Sequence, residues 1–265
     1  MLQRDWQKRF FLFDLLFLFS FSSVVLIAGE GWKEEKSTHF IIYHKEAPSE
    51  FIRETIKVAE ECYGKMTEIL GFTRYDFWLW DRRAKIYICS DVQEYHRFTG
   101  QPLWSQGSAN YKDKIIYTYP QATGFFDTLL VHEIGHLVFR EFVGFKPNIP
   151  LCLDEGVACY MEKAKREGAE RIVLQAINSN KFIPLNELVK MSCLPCLPSE
   201  RVSLFYTQSV CIVKFLVHKY GRDNFSNLCR ALRDGASVDK ALSKIYPFKD
   251  LSELETAWIK YIKDE

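Results

Sequence analysis

The chain has 265 residues, of which 48% are hydrophobic and 26% are charged. These values are ordinary for a folded protein with a substantial core, and they exclude a largely disordered chain. The 35 basic and 34 acidic residues leave a formal net charge of +1. Because no global field attracts a polyanion, we expect no nucleic-acid partner, and other partners have to be inferred from individual sites.

The first thirty residues have the pattern of a secretory signal or a membrane anchor. Arg4, Lys8 and Arg9 precede an apolar run from Phe10 to Ala28, which Asp14 interrupts. A basic flank before about twenty apolar residues is typical of such segments, and a buried core helix is the alternative. The end of the run lacks a small-x-small cleavage pattern, which slightly favours a retained hydrophobic helix over a cleaved signal. We therefore expect a domain in the cell envelope, outside the cytoplasm, either anchored to the membrane through residues 1–30 or secreted.

Eight cysteines form an even set, which permits disulfides in an exported chain without proving them. Cys193 and Cys196 form a CxxC, but no second CxxC is present to complete a zinc knuckle. We interpret this pair as a local disulfide or two thiols. Cys159, Cys211 and Cys229 lie in apolar helical patterns, which predicts small buried hydrophobic residues.

After a polar connector at 31–38, the pattern predicts a domain over 39–265 whose first part, 39–120, is rich in strands. Short runs that alternate toward apolar and β-branched residues predict strands. Between Ser49 and Gly71, apolar residues recur with the spacing of an amphipathic helix. A turn at Lys112 and Asp113 suits a hairpin. The predicted strands are 39–44, 85–89, 108–111 and 114–119, and the predicted helices are 49–70 and 94–98.

The second part, 125–265, is predicted to be almost entirely helical. Prolines and Gly221 separate the helical segments. A small mixed or antiparallel sheet packed on a helical half is an α+β architecture. The predicted helices are 125–142, 152–167, 169–179, 203–220, 224–234, 237–245 and 251–263.

The run LLVHEIGHLVF contains three residues with metal chemistry. His132 and His136 are four positions apart, so a helix places both imidazoles on one face, about one turn from each other. Glu133 follows His132 directly, and its carboxylate would lie at the edge of that face, close to a shared metal without being forced to bind it. This position suits a general base for metal-activated water.

A catalytic zinc normally has three protein ligands and one open position. Glu155 is the candidate third ligand, because it opens a second helical stretch, LDEGVACYMEK, with eighteen residues between it and His136. That gap fits a helix end, a proline-bearing loop and the start of a helix packed against the first. Gly156 would let these two helices approach closely at the metal. The sequence thus predicts one zinc ion per chain, bound by His132, His136 and Glu155.

At these residues the sequence resembles the gluzincin clan of zinc peptidases, which includes thermolysin-like and Peptidase MA-like members. These proteins carry HExxH, a spacer of about this length, and a glutamate ligand in an EGxA context, which DEGVA matches. The resemblance implies a zincin-like fold and a hydrolase that cleaves a peptide or protein substrate. The later features of the pattern, EGxAxYxE and Tyr-x-Gln-Ser, are represented by Tyr160, Glu162, Tyr206, Gln208 and Ser209.

The same resemblance implies roles outside the metal ligands. The strand with Ala109 and Asn110 would bind an extended substrate by β-addition, and Tyr206 would reach the oxyanion formed during attack. The alternatives are a plain hairpin strand, and a helix residue whose hydroxyl lies at the surface. A GxMEN-like strand, which grips a free amine in aminopeptidases, is absent from the sequence, and this favours an endopeptidase.

Two functions remain open at this stage. The first is a zinc-dependent peptidase that uses metal-activated water with Glu133 as general base. The alternative is a catalytically inactive zincin-fold envelope protein that acts as an interaction module. Asp154 and Glu162 are candidate hydrogen-bond acceptors behind the ligand imidazoles, although solvated acids on a helix face are equally consistent with the sequence. The sequence gives no indication of substrate specificity or oligomeric state.

Overall fold

The structure is a computed structural model that describes residues 31–72, 78–146, 148–192, 194 and 197–264. The predicted signal or anchor helix at 1–30 lies outside these residues, as do Cys193 and Cys196. In the described ranges, no helix combines the length and the apolar composition needed to cross a bilayer. The six cysteines in these ranges are buried and form no disulfide with one another.

One mixed sheet is formed by strands β1 to β5, arranged in the order β1-β2-β3-β5-β4. Its centre is parallel, because β2 pairs with β3 and β3 with β5 in the same direction. Both outer pairs, β1 with β2 and β4 with β5, are antiparallel. The strands are β1 Lys33–Lys36, β2 Phe40–His44, β3 Ala84–Ile88, β4 Gly107–Asn110 and β5 Ile115–Thr118.

Stacked aromatic rings join the central strands. Tyr43 on β2 stacks on Tyr87 on β3 with ring centroids 4.6 Å apart, and Tyr87 stacks on Tyr117 on β5 at 5.4 Å. Such cross-strand aromatic pairs stabilise a sheet beyond backbone hydrogen bonding alone. The predicted strands at 39–44, 85–89, 108–111 and 114–119 are confirmed to within one residue at each end.

The prediction of a polar connector at 31–38 was wrong, because Lys33–Lys36 is strand β1. All four of its residues are exposed, so their sequence, KEEK, carries no alternation of apolar and polar positions. The strand is instead defined by its antiparallel register with β2, in which Lys33 lies opposite His44. Charged side chains on an edge strand also protect a sheet from pairing with other chains.

Ten α-helices occur in the described ranges, and a π-helical turn at Phe125–Leu129 leads directly into α3. The chain divides into two compact units, residues up to 63 with 74–133 and residues 64–73 with 134–265. The helices are α1 Ser49–Ile69, α2 Val92–Thr99, α3 Leu130–Val143, α4 Leu151–Met161, α5 Lys163–Asn178, α6 Leu185–Leu188, α7 Ser199–Tyr220, α8 Arg222–Arg233, α9 Val238–Ile245 and α10 Leu251–Asp264.

The predicted helix break at Gly168 was wrong. Helix α5 continues through Gly168, and the break lies at Glu162, whose backbone is extended at φ −80° and ψ 104°. A glycine inside a helix costs only about 1 kcal/mol relative to alanine, so the packing of the surrounding helix outweighs it. The short helix α6 was not predicted, and α7 begins at Ser199, directly after Pro198, four residues earlier than expected.

Two glycines allow helices of the second unit to pack so closely that their backbones are in contact. A Cβ atom at Gly135 on α3 would lie 2.7 Å from Cα of Ala158 on α4. A Cβ atom at Gly156 on α4 would collide with the carbonyl oxygen of Ser209 on α7 and lie 2.8 Å from Cγ2 of Val213. Gly156 was therefore assigned to the wrong neighbour, since it faces α7, and Gly135 makes the close approach between α3 and α4.

We predict that Gly156→Ala destabilises the protein by about 3 kcal/mol or more, at the upper end of the range for overpacked cores, because the colliding atoms belong to backbone that cannot rotate away. Urea unfolding of the variant and the wild type measures this difference. Gly64→Ala is the matched control, since Gly64 is an exposed residue inside α1 with open space around it. It should be neutral or stabilising by about 1 kcal/mol. A wild-type midpoint for Gly156→Ala would contradict the proposed packing.

Candidate metal centre

Helix α3 carries His132, Glu133 and His136, and all three side chains are buried, with 6%, 5% and 2% exposure. The π-helical turn before α3 keeps the chain helical into the motif. The four-residue spacing places both imidazoles on one face of α3. Neither histidine is on the protein surface, so each must satisfy its ring nitrogens inside the protein.

Glu155 lies in the first half of α4 and is 2% exposed. His132, His136 and Glu155 each offer a ligand-type atom, and these atoms all lie within 4.8 Å of one another. His136 Nε2 is 3.5 Å from a carboxylate oxygen of Glu155. The structure therefore brings together the three residues that the sequence suggested as metal ligands.

Asp154, next to Glu155 in sequence, orients His136. Its Oδ1 accepts a hydrogen bond from Nδ1 of His136 at 2.8 Å, and Asp154 is fully buried. Arg140, one turn after His136 on α3, donates Nε to the other oxygen of Asp154 at 2.8 Å, with Nη2 at 2.7 Å. Hydrogen bonds therefore link Arg140 to Asp154 and Asp154 to His136. Because Nδ1 donates to Asp154, Nε2 is the nitrogen of His136 on the side of Glu155 and the one that could bind a metal once it loses its proton.

The local charges explain the pKa shifts in this group. Burial alone would lower the pKa of His136, but Asp154 and Glu155 outweigh it and raise the pKa well above its usual value. Burial would raise the pKa of Asp154, but His136 and Arg140 outweigh it and lower the pKa. Asp154 is therefore an anion at neutral pH, and the site favours positive charge beside His136.

A second group of ligand-type side chains, His132, Cys159 and Glu162, shares one histidine with the first. Glu162 is only 2% exposed, which is inconsistent with a solvated helix-face acid. Lys165 forms an ion pair with it, with Nζ 2.8 Å from Oε1 of Glu162. Lys165 and Arg140 were both missed by the sequence analysis, although Lys165 could have been suspected from its spacing, three residues after Glu162 on a helix.

Ala109 and Asn110 are on β4, which is an outermost strand of the sheet, and both are partly exposed. The side chain of Asn110 accepts a hydrogen bond from the backbone of Asp113 at 3.1 Å and donates to its carboxylate at 2.8 Å. That side chain therefore stabilises the hairpin turn. At the other end of β4, a Cβ atom at Gly107 would lie 2.9 Å from the side chain of Leu129, three residues before His132.

Tyr206 is on α7 and is 2% exposed, so its side chain is not a surface group. Its ring packs against Phe205 with centroids 5.6 Å apart, and the Lys165 ammonium lies 5.6 Å from the ring centroid. The neighbouring residues of the Tyr-x-Gln-Ser pattern have structural contacts. The amide of Gln208 makes two hydrogen bonds of 2.8 Å with the backbone of Ile183, and the Ser209 carbonyl faces Gly156.

Residues 81–264 match the family model described as Peptidase MA superfamily, which covers more than half of the chain. The chain belongs to the Peptidase MA superfamily. Among curated proteins, none gives a significant match. Membership places the chain in a zincin-like family of peptidases that typically depend on a metal ion, and it agrees with the α+β architecture described above.

The residues of this Peptidase MA chain fit a divalent cation. Two imidazoles and a carboxylate are a donor set that a catalytic zinc accepts, and zinc with three protein ligands takes a fourth ligand from solvent or substrate. The charges fit as well, because Arg140 balances Asp154 and Lys165 balances Glu162. A cation held by the two imidazoles and Glu155 would add two positive charges next to two buried carboxylates, those of Glu155 and Glu133.

We predict that Asp154→Asn lowers zinc affinity by about 10- to 100-fold, the usual effect of removing a carboxylate behind a ligand histidine. The amide preserves the shape of Asp154 but removes the charge that fixes the protonated nitrogen of His136. Competition with a chelating dye measures the affinity. Asp223→Asn is the control, because that side chain is 91% exposed, and it should leave the affinity unchanged. Equal affinities for both variants would refute the orienting role of Asp154.

Proposed function

We propose that this member of the Peptidase MA superfamily is a zinc-dependent endopeptidase of the gluzincin type. The observation that carries the proposal is the buried group of His132, His136 and Glu155, whose ligand-type atoms lie within 4.8 Å of one another. In this proposal they bind one zinc ion. The aligned HExxH and DEGVA motifs and the superfamily match support the same assignment.

When bound, zinc would lower the pKa of a water at its open position to about 7 and polarise a substrate carbonyl. Glu133 is proposed as the general base, because its carboxylate is next to His132 on α3 and is 5% exposed. It would accept the proton of the attacking water and later return it to the leaving amine. His132 and His136 keep their positions through this cycle, with His136 oriented by Asp154.

The substrate is proposed to bind as an extended peptide along the open edge of β4, at Ala109 and Asn110. A hydrogen-bonded path within the first unit supports this: Tyr95 bonds to Ser105 at 2.7 Å, and Ser105 donates to the carbonyl of Gly107 at 2.9 Å. Burial raises the pKa of Tyr95 to about 12, and the charge of Glu133 acts in the same direction. Tyr95, which is linked to the start of β4 through Ser105, therefore lies within electrostatic range of the proposed base.

Tyr206 is proposed to stabilise the oxyanion that forms when the substrate carbonyl is attacked. Its burial excludes the surface position that was the alternative. This role would make Tyr206 important for kcat more than for substrate binding.

We further propose that residues 1–30 direct the domain to the cell envelope, as an anchor or a signal. The support is the sequence pattern of Arg4, Lys8 and Arg9 before the apolar run. Fractionation of cells that express the full chain, compared with a chain in which these three residues are changed to glutamate, tests it. Unchanged localisation of the variant would contradict the proposal.

The competing function, a non-catalytic interaction module, is less favoured because Glu133 is present and buried beside the ligand residues. A single substitution separates the two. We predict that Glu133→Gln loses activity on a peptide library by ~10²–10⁴-fold, the usual contribution of a general base, while zinc content stays at the wild-type level. Glu167→Gln, at a side chain that is 60% exposed, is the control and should be fully active.

Glu155→Ala completes the test, since it should lose zinc as well as activity. Metal analysis of the full chain by atomic absorption gives the first readout and peptide cleavage the second. Folded wild-type protein that contains no zinc would contradict the proposed metal centre. Normal activity of Glu133→Gln would contradict the proposed role of Glu133 as general base. Zinc without any cleavage would leave the interaction module as the better function.

For Tyr206→Phe we predict that kcat falls by about 10²–10³-fold, as in other proteins that lose one oxyanion donor, with little change in KM. Tyr160→Phe is the matched control, because Tyr160 is also a buried tyrosine and its hydroxyl contacts His218 at 3.0 Å. Steady-state kinetics on a peptide substrate separates kcat from KM. Equal kinetics for both variants would assign Tyr206 a packing role only.

A further inference from the structure

Cys159 and Glu162, which form the second group of ligand-type side chains together with His132, are not used by the proposed mechanism. The three donor atoms of this group lie within 4.8 Å of one another, and all three residues are buried. Cys159 and Glu162 come from the C-terminal end of α4 and the residue that follows it. An imidazole, a thiol and a carboxylate form a donor set that accepts zinc or cadmium.

Lys165 contacts two of the three side chains in this group. Its Nζ is 2.8 Å from Oε1 of Glu162 and 3.7 Å from Sγ of Cys159. The side chain is only 13% exposed, whereas that of Lys163, two residues earlier on the same helix, is 79% exposed. A lysine with so little exposure is costly unless its charge is compensated, and the contacts with Glu162 and Cys159 supply that compensation.

A metal ion held by this group would compete with the first site, because both groups contain His132. The ammonium of Lys165 already supplies positive charge between the carboxylate and the sulfur. A divalent cation at the same place would meet a like charge within a few ångströms in a buried environment, where such repulsion is strong. Lys165 therefore opposes metal binding at Cys159 and Glu162.

We propose that Lys165 is an internal cation that keeps a latent second metal site closed and so reserves His132 for the metal centre. The reservation of His132 rests on the proposed function, since it matters only if His132 binds the working zinc ion. The latent site itself does not depend on catalysis. Without the ammonium, His132, Cys159 and Glu162 would bind a thiophilic divalent cation, and formation of the sulfur–metal bond would release the thiol proton to solvent.

The test is titration of the full chain with Cd²⁺ alone, following the ultraviolet absorption of thiolate-to-cadmium bonds. Because the chain has other cysteines, each protein is compared with its own Cys159→Ser partner, and only the difference counts. Lys165→Met should show a thiolate band that Cys159→Ser removes. Wild type and the control variant Lys163→Met should show no band that depends on Cys159.

Lys165→Arg retains the positive charge and should behave as wild type, which separates the effect of charge from loss of packing. Circular dichroism checks that each variant is folded, and Lys165→Gln replaces Lys165→Met if the latter does not fold. A titration of the uncharged variant that matches wild type would overturn the proposal. So would a Cys159-dependent band in the wild type, since Cys159 would then already bind metal.

The outcome is independent of the proposed peptidase activity. If wild type binds no zinc and cleaves no peptide, the proposed function fails, but the cadmium band of Lys165→Met can still appear. If the proposed function holds and the band never appears, only the role of Lys165 fails. Where both hold, Lys165→Met should also lose peptidase activity when cadmium is added, in a manner that Cys159→Ser prevents.

Discussion

The burial of negative charge around α3 and α4 is the constraint on which the site depends. Four carboxylates are buried in the described part of the chain, at Glu133, Asp154, Glu155 and Glu162. A charge moved out of water costs several kcal/mol unless it is compensated. Arg140 compensates Asp154, Lys165 compensates Glu162, and the imidazole of His136 lies beside Glu155. A divalent cation shared by the imidazoles is the simplest way to complete the balance.

This arrangement requires helices that approach more closely than large side chains allow. Gly135 brings α3 to the backbone of α4, and Gly156 brings α4 to the backbone of α7. Because Gly156 follows Glu155 directly, the contact with α7 limits how far Glu155, the proposed third ligand, can move. The position of the proposed ligand Glu155 is therefore set by packing on the opposite face of α4 as much as by the face that carries its carboxylate.

The sequence predicted what is local and failed where tertiary contacts decide. His132 and His136 were suggested by helical periodicity and Glu155 by a motif at a known spacing, and the structure brings the three side chains together. Arg140 and Lys165 were missed because a lysine or arginine on a helix usually faces solvent; the spacing to Glu162 hints at a partner for Lys165, but only the fold shows that these acids are buried. Strand β1 was missed because all of its residues are exposed. Its sequence therefore shows no alternation of apolar and polar residues, and only the pairing with β2 defines the strand.

The burial of helix α4 explains why its acidic residues need partners of opposite charge inside the protein. Every residue from Cys152 to Tyr160 is buried, so this helix has no face on which an acid could be solvated. An acidic residue here must meet a cation within the protein, and Asp154 and Glu155 are adjacent, so they point in different directions. Asp154 meets Arg140, whereas Glu155 points to the imidazole of His136. In the proposed metal centre, two neighbouring acids of a buried helix thus separate an orienting role from a ligand role, and each role needs its own positive charge.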